Sequence, residues 1–315
     1  KSEGNIKLKY DKQRDLIYSK NLYTSSVKSI SYLYSSQKIL SYTGNSSSLN
    51  IYDNKELNME DALGNRPCMA IKISLELKAF EEKEISFILG ATENENDICL
   101  EYKQIEKCKK EFQETKKYWE NILERVKVKT PIDSMNIMLN GWTMYQTISS
   151  RLYARSGFQQ SGGAYGFRDQ LQDSISTKFL NSQMIKKQIL KHAMHQFIQG
   201  DTEHWWHDET QRGIRTRFSD DRLWLVYVTI EYINFTGDYD ILDIEIPYIE
   251  GKQLEEGKDE EYDLHVVSSL KENLYMHCIR AIDISLKFGE NNLPLIGSGD
   301  WNDGFSTVGN KGKGE

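Results

Sequence analysis

The sequence predicts a multidomain β + α protein: an antiparallel β-sandwich, a helical linker, and a helical domain that carries the chemistry. Three observations predict it. Apolar and polar residues alternate with period two over residues 1–97. The period becomes helical over 98–129. From 130 onward, helical faces alternate with long polar loops. A chain of 315 residues is long enough for two domains.

In the first region Ile71, Ile73, Leu75 and Leu77 are separated by Lys72, Ser74 and Glu76. Ser29–Tyr34 and Glu84–Leu89 alternate in the same way. Short alternating runs broken by Gly, Asn, Ser and Asp clusters indicate a sandwich, and its abrupt start suggests that only its C-terminal part is present. In the linker Ile105, Cys108, Phe112, Trp119, Ile122 and Val126 mark one face among many Lys and Glu. Thr130-Pro131 reads as a helix start, with Thr as N-cap and Pro in the first turn. Ile132, Met135, Met138, Trp142, Tyr145 and Leu152 then mark its apolar face. Further helices are expected over 181–199, ending at Gly200, and over 221–235, ending at Gly237. The latter is apolar almost all round and is expected to be buried. A last helix is expected over 265–288 with Gly289 as its cap. Residues 250–263 read as an exposed connection.

Composition narrows the function. The chain has 40 Lys+Arg against 47 Asp+Glu and a net charge of −7, which argues against a nucleic-acid-binding surface. It has no apolar run of about 18 residues. Cys68, Cys99, Cys108 and Cys278 are scattered, with no metal or disulfide spacing, which suggests a reducing cytoplasm. Lys1-Ser2-Glu3-Gly4 is neither an initiator nor a signal peptide, and Gly312-Lys313-Gly314-Glu315 stops as if within a loop. Together these ends suggest an internal fragment of a longer protein.

Three long loops, over 156–172, 200–220 and 290–315, hold the chemistry-bearing residues. Loops two antiparallel helices apart emerge at the same end, so these three are expected to converge. The third contains Gly299-Asp300-Trp301-Asn302-Asp303-Gly304, with two carboxylates three residues apart around an indole. A carboxyl that hands over a proton and a flat apolar face that holds a pyranose are what sugar chemistry needs. An Asp-Trp-Asn-Asp turn closed by Asx hydrogen bonds is the plainer alternative. The first loop, Gly162-Gly163-Ala164-Tyr165-Gly166-Phe167-Arg168-Asp169-Gln170-Leu171-Gln172-Asp173, offers Arg, Asp and Gln for sugar hydroxyls, or simply a capped helix start. The second contains Glu203-His204-Trp205-Trp206-His207-Asp208 and Arg217-Phe218-Ser219-Asp220-Asp221. Its adjacent tryptophans either pack beneath the loop or form a sugar platform. Ser219-Asp220-Asp221 caps the following helix, and Asp220 can do so while touching ligand. Crowding of the His and acidic residues into one tight loop argues against a metal site. Gly309, Lys311, Gly312 and Lys313 do not have phosphate-loop spacing. His192, His195, His265 and His277 read as structural.

Taken in order, these motifs closely resemble glycoside hydrolase family 94, the inverting disaccharide and oligosaccharide phosphorylases formerly classed as a glycosyltransferase family. The likeness is strongest to its cyclic β-1,2-glucan synthase and 1,2-β-oligoglucan phosphorylase branch. It implies the first half of an (α/α)6 barrel over 130–315. It also implies reversible phosphorolysis of β-linked gluco-oligosaccharides, with β-1,2-glucan as the expected substrate, to give α-glucose 1-phosphate. Inorganic phosphate would be the nucleophile, and no cofactor or metal is implied. On this resemblance Asp303 falls on the general acid, Trp301 on a position lining the sugar site, and Arg168 and Asp173 on the segment that binds the glycosyl ring. His204, Trp205, Trp206, Arg217, Asp220 and Asn302 are expected to bind substrate, with Asp300 as a hydrogen-bonding partner. The phosphate-binding residues are expected beyond residue 315, so this chain alone is expected to be inactive. The resemblance allows a homodimer in the full-length protein and fusion to glucan synthase modules. The competing expectations are an inverting hydrolase on the same barrel, a non-catalytic glucan-binding or processing domain of a glucan synthase, and an α-toroid interaction domain.

Overall fold

The computed structural model describes residues 6–22, 29–49, 56–64, 66–155, 163–305, 307–308 and 314–315. Gly162, Gly309, Lys311, Gly312 and Lys313 lie outside them. The chain divides into two compact units, Lys1–Tyr118 and Trp119–Glu315.

The first unit contains β1 (Ile6–Asp11), β2 (Leu16–Asn21), β3 (Ile30–Ser35), β4 (Ile39–Asn45), β5 (Ala62–Leu63), β6 (Pro67–Ile73) and β7 (Phe87–Thr92). One antiparallel sheet has the order β5-β1-β2-β3-β7, and β4 pairs with β6 in a second. Leu8 and Ile17 of the first sheet pack with Ile39 and Tyr42 of the second. That alternating face is the reason these runs form a sandwich. Gly90 is needed in β7 because a Cβ there would run into the Tyr32 ring. The alternation overreaches in one place: β6 ends at Ile73, and Leu75 and Leu77 are exposed. α1 (Ile105–Leu123) begins in this unit and ends in the next.

The second unit is helical, with small sheets inserted. After α1 come α2 (Asp133–Ile137) and α3 (Thr143–Gln146), joined and continued by π-helical turns Met138–Trp142 and Thr147–Tyr153. α4 (Phe167–Ser174) follows β8 (Tyr165–Gly166). Then come α5 (Ser182–Ala193), the hairpin β9 (Glu203–His207) and β10 (Arg212–Thr216), and α6 (Asp221–Thr236). β11 (Glu245–Glu250), β12 (Glu260–Leu264), β13 (Val266–Asn273) and α7 (Leu274–Ser285) complete it. β12-β10-β9-β8 form one sheet, and β11 pairs with β13 in another. Phe167, Leu171, Ile185, Ile189, Leu225, Val228, Tyr232, Leu274 and Cys278 from α4, α5, α6 and α7 share the main core. No helix among the described residues is long and apolar enough to cross a membrane.

Several expected helix limits move. Thr130 caps no helix; its hydroxyl accepts the Ile132 amide hydrogen bond, and α2 begins only at Asp133. α5 stops at Ala193, because Phe197–Asp201 closes into a tight turn that needs Gly200 at a φ of 99°. α6 ends as expected, with Gly237 in the left-handed region. Its all-round apolarity does not bury it: Leu223, Tyr227, Ile230 and Phe235 are exposed. The expected helix over 265–288 is strand β13 followed by α7, which ends at Ser285 without Gly289. The region from 130 onward is therefore not all helix and loop. The second long loop is largely the β9–β10 hairpin, and the connection over 250–263 supplies β12 to its edge.

Candidate functional site

Arg168 organises the site. It lies in the first turn of α4 and is 6% exposed, so its charge needs partners close by. Its Nη2 donates to Asp303 Oδ1 at 2.8 Å. Its Nη1 donates to Asp220 Oδ2 at 3.2 Å and to the Asp300 carbonyl at 2.9 Å. One guanidinium thus ties α4, the start of α6 and the Asp300–Asp303 loop together, since its planar fork can serve several acceptors at once. Burial works against this charge, but Asp303, Asp220 and Asp221 outweigh it and raise the Arg168 pKa above its ordinary value.

Backbone contacts hold the acid loop beside α6. Ser219 donates its amide to the Gly299 carbonyl at 3.0 Å, and Ser298 donates to the Arg217 carbonyl at 3.2 Å. Gly297 is at a φ of 71°, and a Cβ there would collide with the Arg217 carbonyl. Asp300 Oδ1 accepts the Asn302 amide at 2.8 Å, and Asn302 Oδ1 accepts the Gly304 amide at 2.9 Å. The hydrogen bonds expected of an Asx turn are present: Asp300 and Asn302 shape the loop, and Asp303 faces Arg168. The Asp303 side chain is 60% exposed. Trp301 is 62% exposed, and its Nε1 donates to Gln172 Oε1 at 3.2 Å.

Asp220 and Asp221 face different partners. Asp220 stands at the N-cap position of α6, but its side chain makes no cap bond; it accepts from Arg168 and from Trp224 Nε1 at 3.1 Å. Burial pushes the Asp220 pKa up, and the neighbouring Asp221 charge adds to this. Asp221 Oδ2 meets His204 Nδ1 at 2.8 Å, and the His204 ring stacks on Phe218 with centroids 4.4 Å apart. Burial opposes a charge on His204, yet Asp221 outweighs it and raises the imidazole pKa above its ordinary value.

The remaining expected site residues do not join this cluster. Trp206 is fully buried, stacked between Tyr165 and His195, with Nε1 donating to Asp208 Oδ1 at 2.8 Å. It is a core residue and cannot form a sugar platform. Trp205 is half-buried on β9, against Tyr262 of β12 and His207. Arg217 is turned away from Arg168: its guanidinium donates to the carbonyls of Lys258, Leu254 and Glu255. Asp173 is held by Arg151 Nε at 2.5 Å, while burial pushes its pKa up despite that partner.

Sequence reading missed a buried cluster behind the site. Glu203 is 2% exposed and is held by His195 Nδ1 at 2.5 Å and by His265 Nδ1. Burial pushes its pKa up, but the two imidazole hydrogen bonds outweigh this and hold it below the ordinary 4.5. Arg215 similarly pairs with Asp201 through Nε at 2.6 Å and Nη2 at 2.6 Å. Neither strand carries an apolar alternation that would have marked Glu203 or Arg215 as inward-facing. Among the described residues no group of three or more His, Cys, Asp or Glu is arranged to hold a metal ion.

With this geometry in place, the comparisons are decisive. Residues 118–315 match the glycosyl hydrolase 94 superfamily catalytic domain, and residues 5–107 match the glycosyl hydrolase 94 supersandwich domain. The chain belongs to glycosyl hydrolase family 94. It is 38% identical over 250 residues to a cyclic β-(1,2)-glucan synthase, NdvB, of Rhizobium meliloti (strain 1021), covering 78% of this chain and 9% of that protein. It is 26% identical over 266 residues to the N,N'-diacetylchitobiose phosphorylase of Vibrio proteolyticus, covering 75% of this chain and 31% of the relative. It is 28% identical over 193 residues to the solabiose phosphorylase of Paenibacillus borealis, covering 61% of this chain and 22% of the relative. The chain thus spans a third or less of these relatives. A supersandwich and a helical catalytic domain of family 94 account for its β and α regions.

Proposed function

We propose that the full-length protein is an inverting phosphorylase of β-linked gluco-oligosaccharides, with Asp303 as the proton donor and inorganic phosphate as the nucleophile. The observation that carries the reading is the Arg168 hub, which gathers Asp220 from the start of α6 and Asp303 and the Asp300 carbonyl from one loop. The phosphorylase names of several relatives favour phosphate over water as nucleophile. The name of the Rhizobium relative makes β-1,2-glucan the first substrate to try. In the same reading, residues 130–315, with α2 to α7, form the first half of an (α/α)6 barrel, and no cofactor is needed.

In the reaction, Asp303 transfers its proton to the glycosidic oxygen as the bond to the anomeric carbon breaks. A phosphate oxygen attacks that carbon from the opposite face, giving α-glucose 1-phosphate and a shortened sugar with a free hydroxyl. Phosphate is already anionic, so the second carboxylate that activates water in an inverting hydrolase is not required. Asp303 Oδ1 is occupied by Arg168. Its other oxygen, Oδ2, is the one that carries the transferred proton, while Arg168 fixes the carboxyl group through Oδ1. Exposed Trp301 offers the face that a pyranose stacks on.

The test is glucose 1-phosphate release from β-1,2-glucan by the full-length protein, with and without phosphate. Asp303→Asn is expected to lower turnover about 10²–10⁴-fold. Near-normal turnover in that variant overturns the assignment of the acid. Sugar release that does not need phosphate would instead favour a hydrolase.

A further inference from the structure

A cavity of about 410 Å³ opens beside Gly297, at the root of the Asp300–Asp303 loop, and is lined by none of Arg168, Asp220, Asp300 and Asp303. Arg215, Arg217, Arg222 and Lys287 line it, along with Ser219 and a single carboxylate, Asp201. Asp201 is already spent on Arg215, through two hydrogen bonds of 2.6 Å. Arg217 makes its hydrogen bonds to backbone carbonyls, and Arg222 donates to Ser285 Oγ at 2.7 Å and to the Phe218 carbonyl at 2.9 Å. Among the described residues Arg217, Arg222 and Lys287 have no carboxylate within ion-pair distance. Three cations without counter-charges therefore face one concavity in a chain whose net charge is −7.

A guanidinium taken partly out of water costs free energy unless an anion meets it. Burial depresses the Arg222 pKa despite the more distant charges of Asp201, Asp221 and Asp220, so the carboxylates of the fold do not repay its desolvation. The carbonyls that fix Arg217 and Arg222 orient these groups without neutralising them, leaving their charge for a ligand. Planar guanidinium forks and a lysine suit tetrahedral oxyanions, and the volume falls in the range of small-ligand pockets, roughly 300–1,000 Å³.

We propose that this pocket binds a phosphoryl group, carried either by orthophosphate or by a sugar phosphate. It shares none of Arg168, Asp220, Asp300 or Asp303, so the inference does not rest on the assignment of the acid. The experiment titrates this chain near neutral pH with orthophosphate, with α-glucose 1-phosphate, and with chloride at matched ionic strength, following heat release and thermal unfolding. Both phosphoryl ligands saturate and raise the unfolding temperature, and chloride does neither. Tighter binding of α-glucose 1-phosphate assigns the pocket to a sugar phosphate, and equal binding assigns it to the phosphoryl group alone. Arg222→Met weakens binding about tenfold or more, as expected for the loss of charged hydrogen bonds. Lys287→Gln, at an exposed position that cannot disturb the core, weakens it severalfold. Lys186→Gln, at a lysine paired with Asp238 outside the cavity, leaves it unchanged. The proposal is overturned if neither phosphoryl ligand saturates, if Lys287→Gln and a folded Arg222→Met both bind as well as the unaltered chain, or if Lys186→Gln weakens binding as much as Lys287→Gln does.

Discussion

Strand β9 and the acid loop both present tryptophan beside carboxylates, and the two are built in opposite ways. In β9, Trp206 is fully buried among Tyr165, Phe167, His192 and His195, and Glu203 is buried between two imidazoles. In the acid loop, Trp301 and Asp303 are exposed and are held by single side-chain contacts to Gln172 and Arg168. A residue type says what chemistry is available, but burial decides whether it is spent on folding or left for a ligand. In β9 these groups are buried in the core, and in the loop they are left at the surface.

Stability measurements can break this contrast. The largest effect is expected for Trp206→Ala, at about 3–5 kcal/mol, the usual cost of emptying a large aromatic site. Urea unfolding that shows less than about 1 kcal/mol would remove Trp206 from the core role given to it. Glu203→Gln comes next, at roughly 1–3 kcal/mol near neutral pH, because the amide cannot accept from both imidazoles as the carboxylate does. It also tests the sign of a pH dependence. The folded-state pKa of Glu203 lies below its ordinary 4.5. Its contribution is therefore fully present above that value and is lost as pH falls through the lower folded pKa. Unfolding curves across that acid window are expected to be less pH-dependent in the variant, and an unchanged slope would place the linkage elsewhere. Gly213→Ala is expected to cost about 1–3 kcal/mol, since its Cβ would press on Glu203 Oε1 and the Trp205 carbonyl. The smallest stability effect is expected for Trp301→Ala, within about 0.5 kcal/mol. In the full-length protein the same change should raise KM for the oligosaccharide severalfold, the ~1 kcal/mol an aromatic contact is worth. A large stability loss with unchanged KM would reverse the comparison.

The legible parts of the fold were those that local pattern controls. Period-two alternation located β3, β7 and the end of β6, because a sheet with one buried face must alternate. Gly237 ended α6, because its left-handed backbone has a residue requirement. The motifs around Arg168, Asp220 and Asp303 were each visible in sequence, and the structure brings these three together. The β9–β10 hairpin was not legible, because Glu203-His204-Trp205-Trp206-His207 alternates no apolar face; its pairing depends on β8 and β12, which lie far away in sequence. Strand β13 was hidden because Val266, Val267 and Leu270 fit a helical face as readily as an exposed edge.

The sequence by itself determined the alternating sandwich, the helical segments, the order of the polar motifs and the family they belong to, because these depend on residue type and spacing along one chain. Only the tertiary structure decided that Trp206 is core and Trp301 exposed, that Arg217 leaves the acid cluster for a separate basic pocket, and that one buried guanidinium joins Asp220 to Asp303. Those outcomes turn on which groups lose water and which distant partners then reach them, and spacing along the chain specifies neither.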